Sequence, residues 1–280
     1  MTGTAPAPDR STAPVSVVIP CFRCAATINR AVASVACQSV LPTELILVDD
    51  AGGDDTLLAL QHLQDKFQAG WIKIISQGKN GGAAAARNAG WDAARAEFVA
   101  FLDADDAWHP KKLEIQLHAM SAYPDAALSG HRAGISSALP DPGYPDSIPV
   151  ERITFRQLLL ANRFITPSVL LRRNLPFRFR TGQRHMEDHL LWMQIAASGA
   201  IILRLEAKLA VTFKPAYGAA GLSSNLWQME KAECANYLQL AGDGAISYIS
   251  AFALCVYSAL KFLKRIAVVT TRATHTARLS

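Results

Sequence analysis

Two residue periodicities alternate along the first 110 residues, and this alternation limits the folds that the chain can adopt. Short apolar runs that end in turn or acidic residues are typical of buried strands, whereas apolar residues at helical spacing lie between them, as at Ile28, Val32 and Val35. Because strands alternating with helices form right-handed βαβ crossovers, the pattern predicts an α/β fold with a mainly parallel sheet. The predicted strands are Val15–Ile19, Leu45–Val48, Trp71–Ile75 and Phe98–Leu102.

The pattern breaks at residues 129–150, which are rich in Gly, Pro, Ser and Asp and predict a loop or a seam between two halves. We therefore expect a disordered leader at 1–13, a domain at 14–220 that divides into 14–128 and 129–220, and a helical, basic C-terminal extension at 221–280. The elements predicted in the second half are a helix near Phe155–Ala161, a strand near Val169–Leu171, a helix from about Asp188, and strands at Ile201–Leu205 and Leu209–Phe213.

The positive charge of the chain lies in its C-terminal segment. The sequence has 28 Lys and Arg against 23 Asp and Glu, and no acid follows Asp243. The remainder is neutral, which argues against a nucleic-acid partner and favours contact of the basic segment with an anionic membrane surface. The bases after Asp243 are Lys261, Lys264, Arg265, Arg272 and Arg278.

Residues 245–260 carry no charge, but they are shorter than the roughly 20 residues that a membrane-spanning helix needs. Three interpretations stay open: a packed helix, an in-plane membrane helix with basic flanks, or a span. We expect peripheral membrane contact through residues 245–265. The five cysteines and the absence of an initial signal sequence favour reduced thiols in a cytoplasmic protein, at the inner membrane face. The Cys21–Cys24 spacing is also that of a redox motif or half a zinc site.

Acidic residues follow two of the predicted strands. Asp49 and Asp50 end the second strand, and Asp103, Asp105 and Asp106 follow the fourth. Ligands bind beyond the carboxyl ends of strands in open parallel sheets, so these carboxylates predict a site for an oxygen-preferring cation such as Mn²⁺ or Mg²⁺ carried with a phosphate. Aspartates after strands also cap helices, which is the alternative interpretation.

Four segments together resemble the family 2 glycosyltransferases. They are Val15–Pro20 (VSVVIP), Val48–Thr56 (VDDAGGDDT), Asn80–Gly90 (NGGAAAARNAG) and Phe101–Trp108 (FLDADDAW), in the order and at the spacings of that family. The resemblance implies a GT-A fold, which is Rossmann-like with a mainly parallel central sheet flanked by helices. It also implies a nucleotide-sugar donor, Mn²⁺ or Mg²⁺, and inversion at the anomeric carbon.

The resemblance also implies residue roles. Asp50 would accept a hydrogen bond from the base, with Asp49 in support, and Asp103-Ala104-Asp105 would form the Asp-x-Asp motif that contacts the donor. The metal ligands would be Asp103, Asp105 and Asp106. The remaining nucleotide contacts would come from Pro20, Cys21, Phe22, Arg87 and Asn88.

Inversion by direct displacement needs a base for the acceptor hydroxyl, and Glu187-Asp188 matches the acidic pair of the family at a helix start. Asp188 is the predicted catalytic base; a plain N-cap is the alternative. His185 and His189 flank it at the spacing of zinc ligands, but without an obvious third ligand. The Lys214 side chain could meet the diphosphate.

The sequence thus predicts a metal-dependent inverting glycosyltransferase that moves a sugar from a UDP-sugar to a glycan or lipid-linked acceptor in cell-surface polysaccharide biosynthesis. The alternative is a metal-dependent nucleotidyltransferase or nucleotide-sugar phosphohydrolase that uses the same aspartates. A dinucleotide-dependent oxidoreductase is disfavoured, because no glycine follows the first strand where a G-x-G-x-x-G turn would be.

Overall fold

The computed structural model describes residues 11–135, 148–213 and 226–276. Within these residues, nine strands form a single sheet. They are Thr12–Cys21 (β1), Leu41–Asp49 (β2), Ile72–Ser76 (β3), Phe98–Phe101 (β4), Ala107–Trp108 (β5), Ala126–Ile135 (β6), Val150–Arg152 (β7), Leu170–Arg172 (β8) and Ile201–Thr212 (β9).

The first half of the sheet is parallel. The strand order is β3-β2-β1-β4-β8-β6-β9-β5, with β7 also paired to β9. All pairs among β3, β2, β1 and β4 are parallel. The central residues of β1, β2 and β4 are fully buried, as continuous apolar runs require when helices cover both faces of a sheet, whereas those of the edge strand β3 are half-buried. All four strands predicted in this half are present.

The second half of the sheet is mixed. β8 is antiparallel to both β4 and β6, whereas β6 and β9 are parallel, and β5 and β7 pair antiparallel with β9. The predicted α/β class with flanking helices is confirmed, and the mainly parallel character belongs to its first half.

Helices cover both faces of the sheet. The helices are Ile28–Ala36 (α1), Thr56–Lys66 (α2), Gly82–Ala93 (α3), Lys112–Ala122 (α4), Phe155–Leu160 (α5), Glu187–Ala197 (α6), Leu226–Gly242 (α7) and Tyr248–Thr276 (α8). One apolar cluster joins α1, α2 and α4 to one face of the sheet. A second cluster joins α3, α5, α6, α7 and α8 to the other face.

Three predicted boundaries need correction. The expected loop at 129–150 begins with strand, because β6 extends to Ile135; residues 136–147 lie outside the described residues. β6 contains small and polar residues, so apolar periodicity could not reveal this strand. One of these residues is Gly130, where an added Cβ would lie 2.2 Å from the Phe164 ring. The two strands predicted between 201 and 213 are one strand, β9. Two residues of the leader predicted at 1–13 belong to β1, which starts at Thr12, and residues 1–10 lie outside the described residues.

The C-terminal helices α7 and α8 pack on each other and on α5. Lys261 Nζ on α8 donates to Glu233 Oε1 on α7 at 2.9 Å and to the Leu160 carbonyl at 3.1 Å. Tyr237 donates its hydroxyl to the Leu159 carbonyl at 2.9 Å. Helix α7 and the first part of α8 are therefore packed against α5. Among the described residues, none of the helices combines the length and hydrophobicity required to cross a bilayer.

Candidate active site

The carboxyl ends of β1, β2 and β4 meet at one edge of the sheet, as the sequence predicts. Cys21 at the end of β1 is in register with Asp49 at the end of β2. The backbone of Leu102 donates to the Val18 carbonyl at 3.1 Å, which places the following Asp103 beside β1. This edge therefore gathers the predicted nucleotide-contacting segments.

Asp50 fixes the start of α3. Its Oδ1 accepts from the backbone N–H of Gly81 at 2.7 Å and its Oδ2 from that of Gly82 at 2.9 Å. An added Cβ at Gly81 would lie 2.8 Å from the Ala85 side chain, and Gly82 has a φ of +80°, so both positions favour glycine. The carboxylate predicted to meet the base thus caps the N-terminus of α3, and its base contact stays a prediction.

Asp49 supports the loop that follows β2. Burial raises the pKa of Asp49, and the backbone N–H groups of Gly52 and Ala51 oppose this rise by hydrogen bonding to the carboxylate. Ala51 itself has a φ of 53°. Asp49 thereby holds a tightly turned loop beside the end of β1.

Arg87 on α3 connects the two halves of the site. Its Nη2 donates to Asp103 Oδ1 at 2.8 Å and its Nη1 to Glu187 Oε1 at 3.0 Å. The guanidinium is buried; burial alone would lower the pKa of Arg87, but the carboxylates of Asp103 and Glu187 raise it. A single cation therefore lies between the Asp-x-Asp segment and the start of α6.

The Asp-x-Asp segment turns sharply after β4. The backbone N–H of Asp106 donates to the Asp103 carbonyl at 3.0 Å, and the Asp105 carbonyl accepts from Arg30 Nη2 at 2.5 Å. Asp103 and Asp105 are partly exposed, whereas Ala104 and Asp106 are buried. Only the first and third positions of the turn therefore keep carboxylates open to a ligand.

Asp188 lies in the first turn of α6, directly after Glu187 and Met186, whose φ is 58°. Asp188 Oδ1 accepts from the backbone N–H of His189 at 2.7 Å, and its Oδ2 accepts from Asn162 Nδ2 at 3.5 Å. Burial and the neighbouring charge of Glu187 raise the pKa of Asp188 to about 7. The helix begins one residue earlier, so Asp188 is not its N-cap.

Residues 16–181 match the family model described as glycosyl transferase family 2, which is more than half of the 280 residues. The chain belongs to this family. It is therefore a glycosyltransferase, and family membership favours this activity over the nucleotidyltransferase and phosphohydrolase alternatives.

Relatives and solved structures agree with this assignment. The Escherichia coli protein WfgD, named as a UDP-Glc:α-D-GlcNAc-diphosphoundecaprenol β-1,3-glucosyltransferase, is 30% identical over 181 residues, which are 65% of this chain and 69% of WfgD. A Staphylococcus aureus TarS 1–349 structure with UDP-GlcNAc has a TM-score of 0.65 at 19% identity, covering 81% of this chain and 66% of TarS. The Pyrobaculum calidifontis mannosyltransferase PcManGT with GDP-Man and Mn²⁺ has a TM-score of 0.57 at 15% identity. The match covers 91% of this chain and 90% of PcManGT. These structures support the GT-A fold.

Three further residues with predicted nucleotide contacts lie at the end of β1 in this family 2 glycosyltransferase. Pro20 and Cys21 end β1, and Phe22 beside them is 47% exposed. Burial raises the pKa of the Cys21 thiol well above its ordinary value, with a hydrogen bond to Cys24 in support, so the pair is a buried thiol pair. Phe22 is thus the predicted pocket residue with the most open surface.

Asn88 joins the two halves through its amide. Its Nδ2 donates to the Phe179 carbonyl at 2.7 Å and its Oδ1 accepts from the Phe179 N–H at 3.0 Å. The amide predicted to approach the nucleotide is therefore bonded to the backbone of the second half. The neighbouring Arg87 guanidinium lies 5.4 Å from the Phe179 ring.

The structure gives no support to a zinc site. Burial lowers the pKa of His189 to about 4, and its Nε2 lies 2.7 Å from the Leu158 carbonyl. In the described part of the chain, no three His, Cys, Asp or Glu side chains are grouped to hold a metal ion. The predicted ligands Asp103, Asp105 and Asp106 consequently do not form a preassembled cage, because Asp106 is buried on the turn. Lys214 lies outside the described residues.

Sequence reasoning missed three contributors to the site. These are the pairing of Glu187 with Arg87, the amide of Asn162 beside Asp188, and the bond from Arg30 to the Asp105 carbonyl. Each joins segments far apart in the chain, and no local pattern marks them.

Proposed function

We propose that this chain transfers a sugar, with inversion, from a UDP-sugar to a hydroxyl of a lipid-linked acceptor in cell-surface polysaccharide biosynthesis. The observation that carries the proposal is the continuous arrangement of Asp103, Arg87, Glu187 and Asp188. It joins a donor-side carboxylate to an acid on the acceptor side through one buried cation. The printed activity of WfgD, which takes UDP-Glc and a diphosphoundecaprenol-linked acceptor, supports both substrate classes.

Asp188 would act as the general base. Its carboxylate, with a pKa raised to about 7, removes the proton of the acceptor hydroxyl as that oxygen attacks the anomeric carbon. The bond between the anomeric carbon and the diphosphate breaks in the same displacement, so the product is inverted. Asn162 and the His189 N–H orient the carboxylate by donating hydrogen bonds to it.

Asp103 and Asp105 fit a cation that arrives with the donor. Mg²⁺ is commonly bound through one or two carboxylates plus substrate phosphates, and two partly exposed carboxylates are what this turn offers. When bound, Mg²⁺ or Mn²⁺ would neutralise charge on the leaving diphosphate. Arg87 orients Asp103 for this contact.

The exposed face of α8 supports a peripheral contact with the inner membrane face. Ile249, Phe252, Val256, Leu260 and Leu263 are exposed and recur at helical spacing, and Ile249 is 83% exposed. The opposite face packs on the domain through Ala251 and Ser258, which are buried.

The sequence beyond this stripe continues with Lys264 and Arg265 and has no acid after Asp243. An apolar face flanked by cations is typical of helices that lie in the interface of an anionic bilayer.

The test is sugar transfer by the purified chain with a panel of UDP-sugars and a diphosphate-lipid acceptor. We expect Asp188→Asn to lower kcat by about a hundredfold or more while UDP still raises the Tm as in the wild type. Asp65→Asn, at an exposed position on α2, is the matched control and should retain full activity. Wild-type turnover by Asp188→Asn would refute the role of the base.

A further inference from the structure

An open surface cavity lies between the loop that leads into α6 and the first turns of α7. Its volume is about 520 Å³. Gln183, Arg184 and His185 line it from the loop, and Gln228 and Lys231 line it from α7. Small side chains of α7, Ala232 and Ala235, leave the space open.

The lining of this cavity is basic. It contains Arg184, Lys231 and His185, and none of the described residues that line it is a carboxylate. Within the described part of the chain, neither Arg184 nor Lys231 forms an ion pair with an acid; Lys231 lies 5.3 Å from the Trp227 ring centroid. The acids of α7 in this stretch, Glu230 and Glu233, are buried outside the cavity. As far as the structure describes it, the cavity therefore offers positive charge without an internal counter-ion, which suits an anionic group.

The wall of the cavity is held in place by α7. Gln183 Nε2 donates to Asn236 Oδ1 at 2.8 Å and to the His185 carbonyl at 2.8 Å. Asn236 Nδ2 donates to the Met186 carbonyl at 2.9 Å, one residue before α6 begins. The same hydrogen bonds thus position both the basic loop and the residue preceding Glu187 and Asp188.

The ring of Trp227 lies between the cavity and α8. Trp227, which is 56% exposed, lies 5.3 Å from Lys231 Nζ and, between ring centroids, 5.8 Å from Phe262 on α8. Phe262 is half-buried. The cations of the cavity are therefore followed by two aromatic rings, which offer an apolar surface beside the positive charge.

We infer that this cavity binds the diphosphate of the lipid-linked acceptor, with Arg184 and Lys231 as its main ligands. The inference rests on the proposed function, since it assigns part of the acceptor to the second half of that site. The guanidinium of Arg184 can pair with phosphate oxygens in two parallel hydrogen bonds, and Lys231 adds a point charge. The lipid chain then leaves past the rings of Trp227 and Phe262, and the acceptor sugar is directed toward Asp188.

The test is calorimetric titration of the full chain with farnesyl diphosphate, in saturating UDP and Mg²⁺ so that the donor site is filled. We expect the wild type to bind farnesyl diphosphate and to bind farnesol much more weakly. Arg184→Gln and Lys231→Gln should each weaken binding about tenfold, as expected for loss of one charge-assisted contact. Lys66→Gln, at an exposed position at the end of α2, is the control and should bind as the wild type does.

Turnover gives a second measurement. Both cavity variants should raise KM for the diphosphate-lipid acceptor while KM for the UDP-sugar and kcat at saturation change little, because neither residue contacts the reacting atoms. The inference would be overturned if the wild type bound farnesol and farnesyl diphosphate equally or bound neither. Unchanged binding by a variant that combines Arg184→Gln and Lys231→Gln would overturn it as well.

Two further measurements identify the site that holds farnesyl diphosphate and separate this inference from the proposed role of Asp188. Binding of farnesyl diphosphate that is seen without UDP but lost in saturating UDP and Mg²⁺ would place it in the donor site and overturn the inference. Asp188→Asn should bind farnesyl diphosphate normally. Retained turnover by that variant would refute the proposed base without affecting the cavity.

Discussion

Arg87 Nη1 lies 3.0 Å from Glu187 Oε1, although 100 residues separate these two side chains in the sequence. Only 7% of the Arg87 side chain and 10% of the Glu187 side chain are exposed, so solvent screens the pair weakly. The other arm of the guanidinium reaches Asp103. Because the planar guanidinium fixes the directions of both bonds, this contact sets the position of the start of α6 relative to the end of β4.

Arg87→Ala should lower the free energy of unfolding by about 3–5 kcal/mol, because it leaves the buried Glu187 carboxylate without its partner. Urea denaturation measures this change. Arg178→Ala removes an arginine from a much more exposed pair with Asp92 and should cost less than about 1 kcal/mol. A cost for Arg87→Ala no larger than that of this control would contradict a structural role for the pair.

The first half of the fold could be predicted closely from sequence, because its strands are covered on both faces. Continuous apolar runs such as Leu45–Val48 and Phe98–Phe101 are then required, and they are visible without a structure. The acids at their ends were predicted to lie at one edge of the sheet for the same reason. Family resemblance supplied the roles that geometry alone does not assign.

The second half was harder to predict because its elements depend on distant partners. β6 is held by pairing with β8 and β9, and its small and polar residues, including Ser129 and Gly130, carry no strand periodicity. The sequence also did not predict the hydrogen-bond partners of the site residues. Asn88 bonds to Phe179 and Asp50 to Gly81, and such contacts follow from the folded backbone.

The activity should depend on pH through Asp188. The base works when it is deprotonated, so kcat/KM should rise about tenfold per pH unit below about 7 and level off above it. The negative charge of Glu187 helps to raise this pKa, so Glu187→Gln should move the rising limb to lower pH. A pH profile of initial rates for the wild type and for Glu187→Gln measures where the rising limb lies in each. An unshifted limb in Glu187→Gln would show that another group controls the ionisation.

The same carboxyl should make stability depend on pH. Its pKa is about 7 in the folded chain and 3.8 in the reference state, so between these values the folded state holds a proton that the unfolded state releases. The stability that this proton contributes is present below about pH 4 and is lost as pH rises to 7. Asp188→Asn does not titrate, so its Tm relative to the wild type should increase from pH 4 to pH 8. Asp65→Asn should show a constant difference over this range, and a constant difference for Asp188→Asn would contradict the raised pKa.

The contact between α3 and β1 requires a glycine at position 90. An added Cβ there would lie 2.3 Å from Val18 Cγ1, within the core. Gly90→Ala should therefore lower the free energy of unfolding by about 1–3 kcal/mol, although alanine favours helices. Gly78→Ala meets no atom within 4 Å and should change stability by less than about 0.5 kcal/mol. Urea denaturation of both variants distinguishes crowding at Gly90 from a general effect of the added methyl group.

The exposed face of α8 should determine binding to anionic vesicles. Replacing Ile249, Phe252 and Leu260 together by serine removes three large apolar side chains from this face, each worth about 1.5–3 kcal/mol when fully buried. Co-sedimentation with phosphatidylglycerol vesicles should therefore weaken by about a hundredfold or more, while the Tm stays near that of the wild type because these side chains are exposed. Leu58→Ser on α2, where the leucine is also exposed, should bind vesicles normally. Added salt should weaken wild-type binding only in part, because it screens the bases after Asp243 but leaves apolar burial intact. Unchanged sedimentation of the triple variant would show that another surface contacts the membrane, since the packed side of α8 is occupied by α7 and α5.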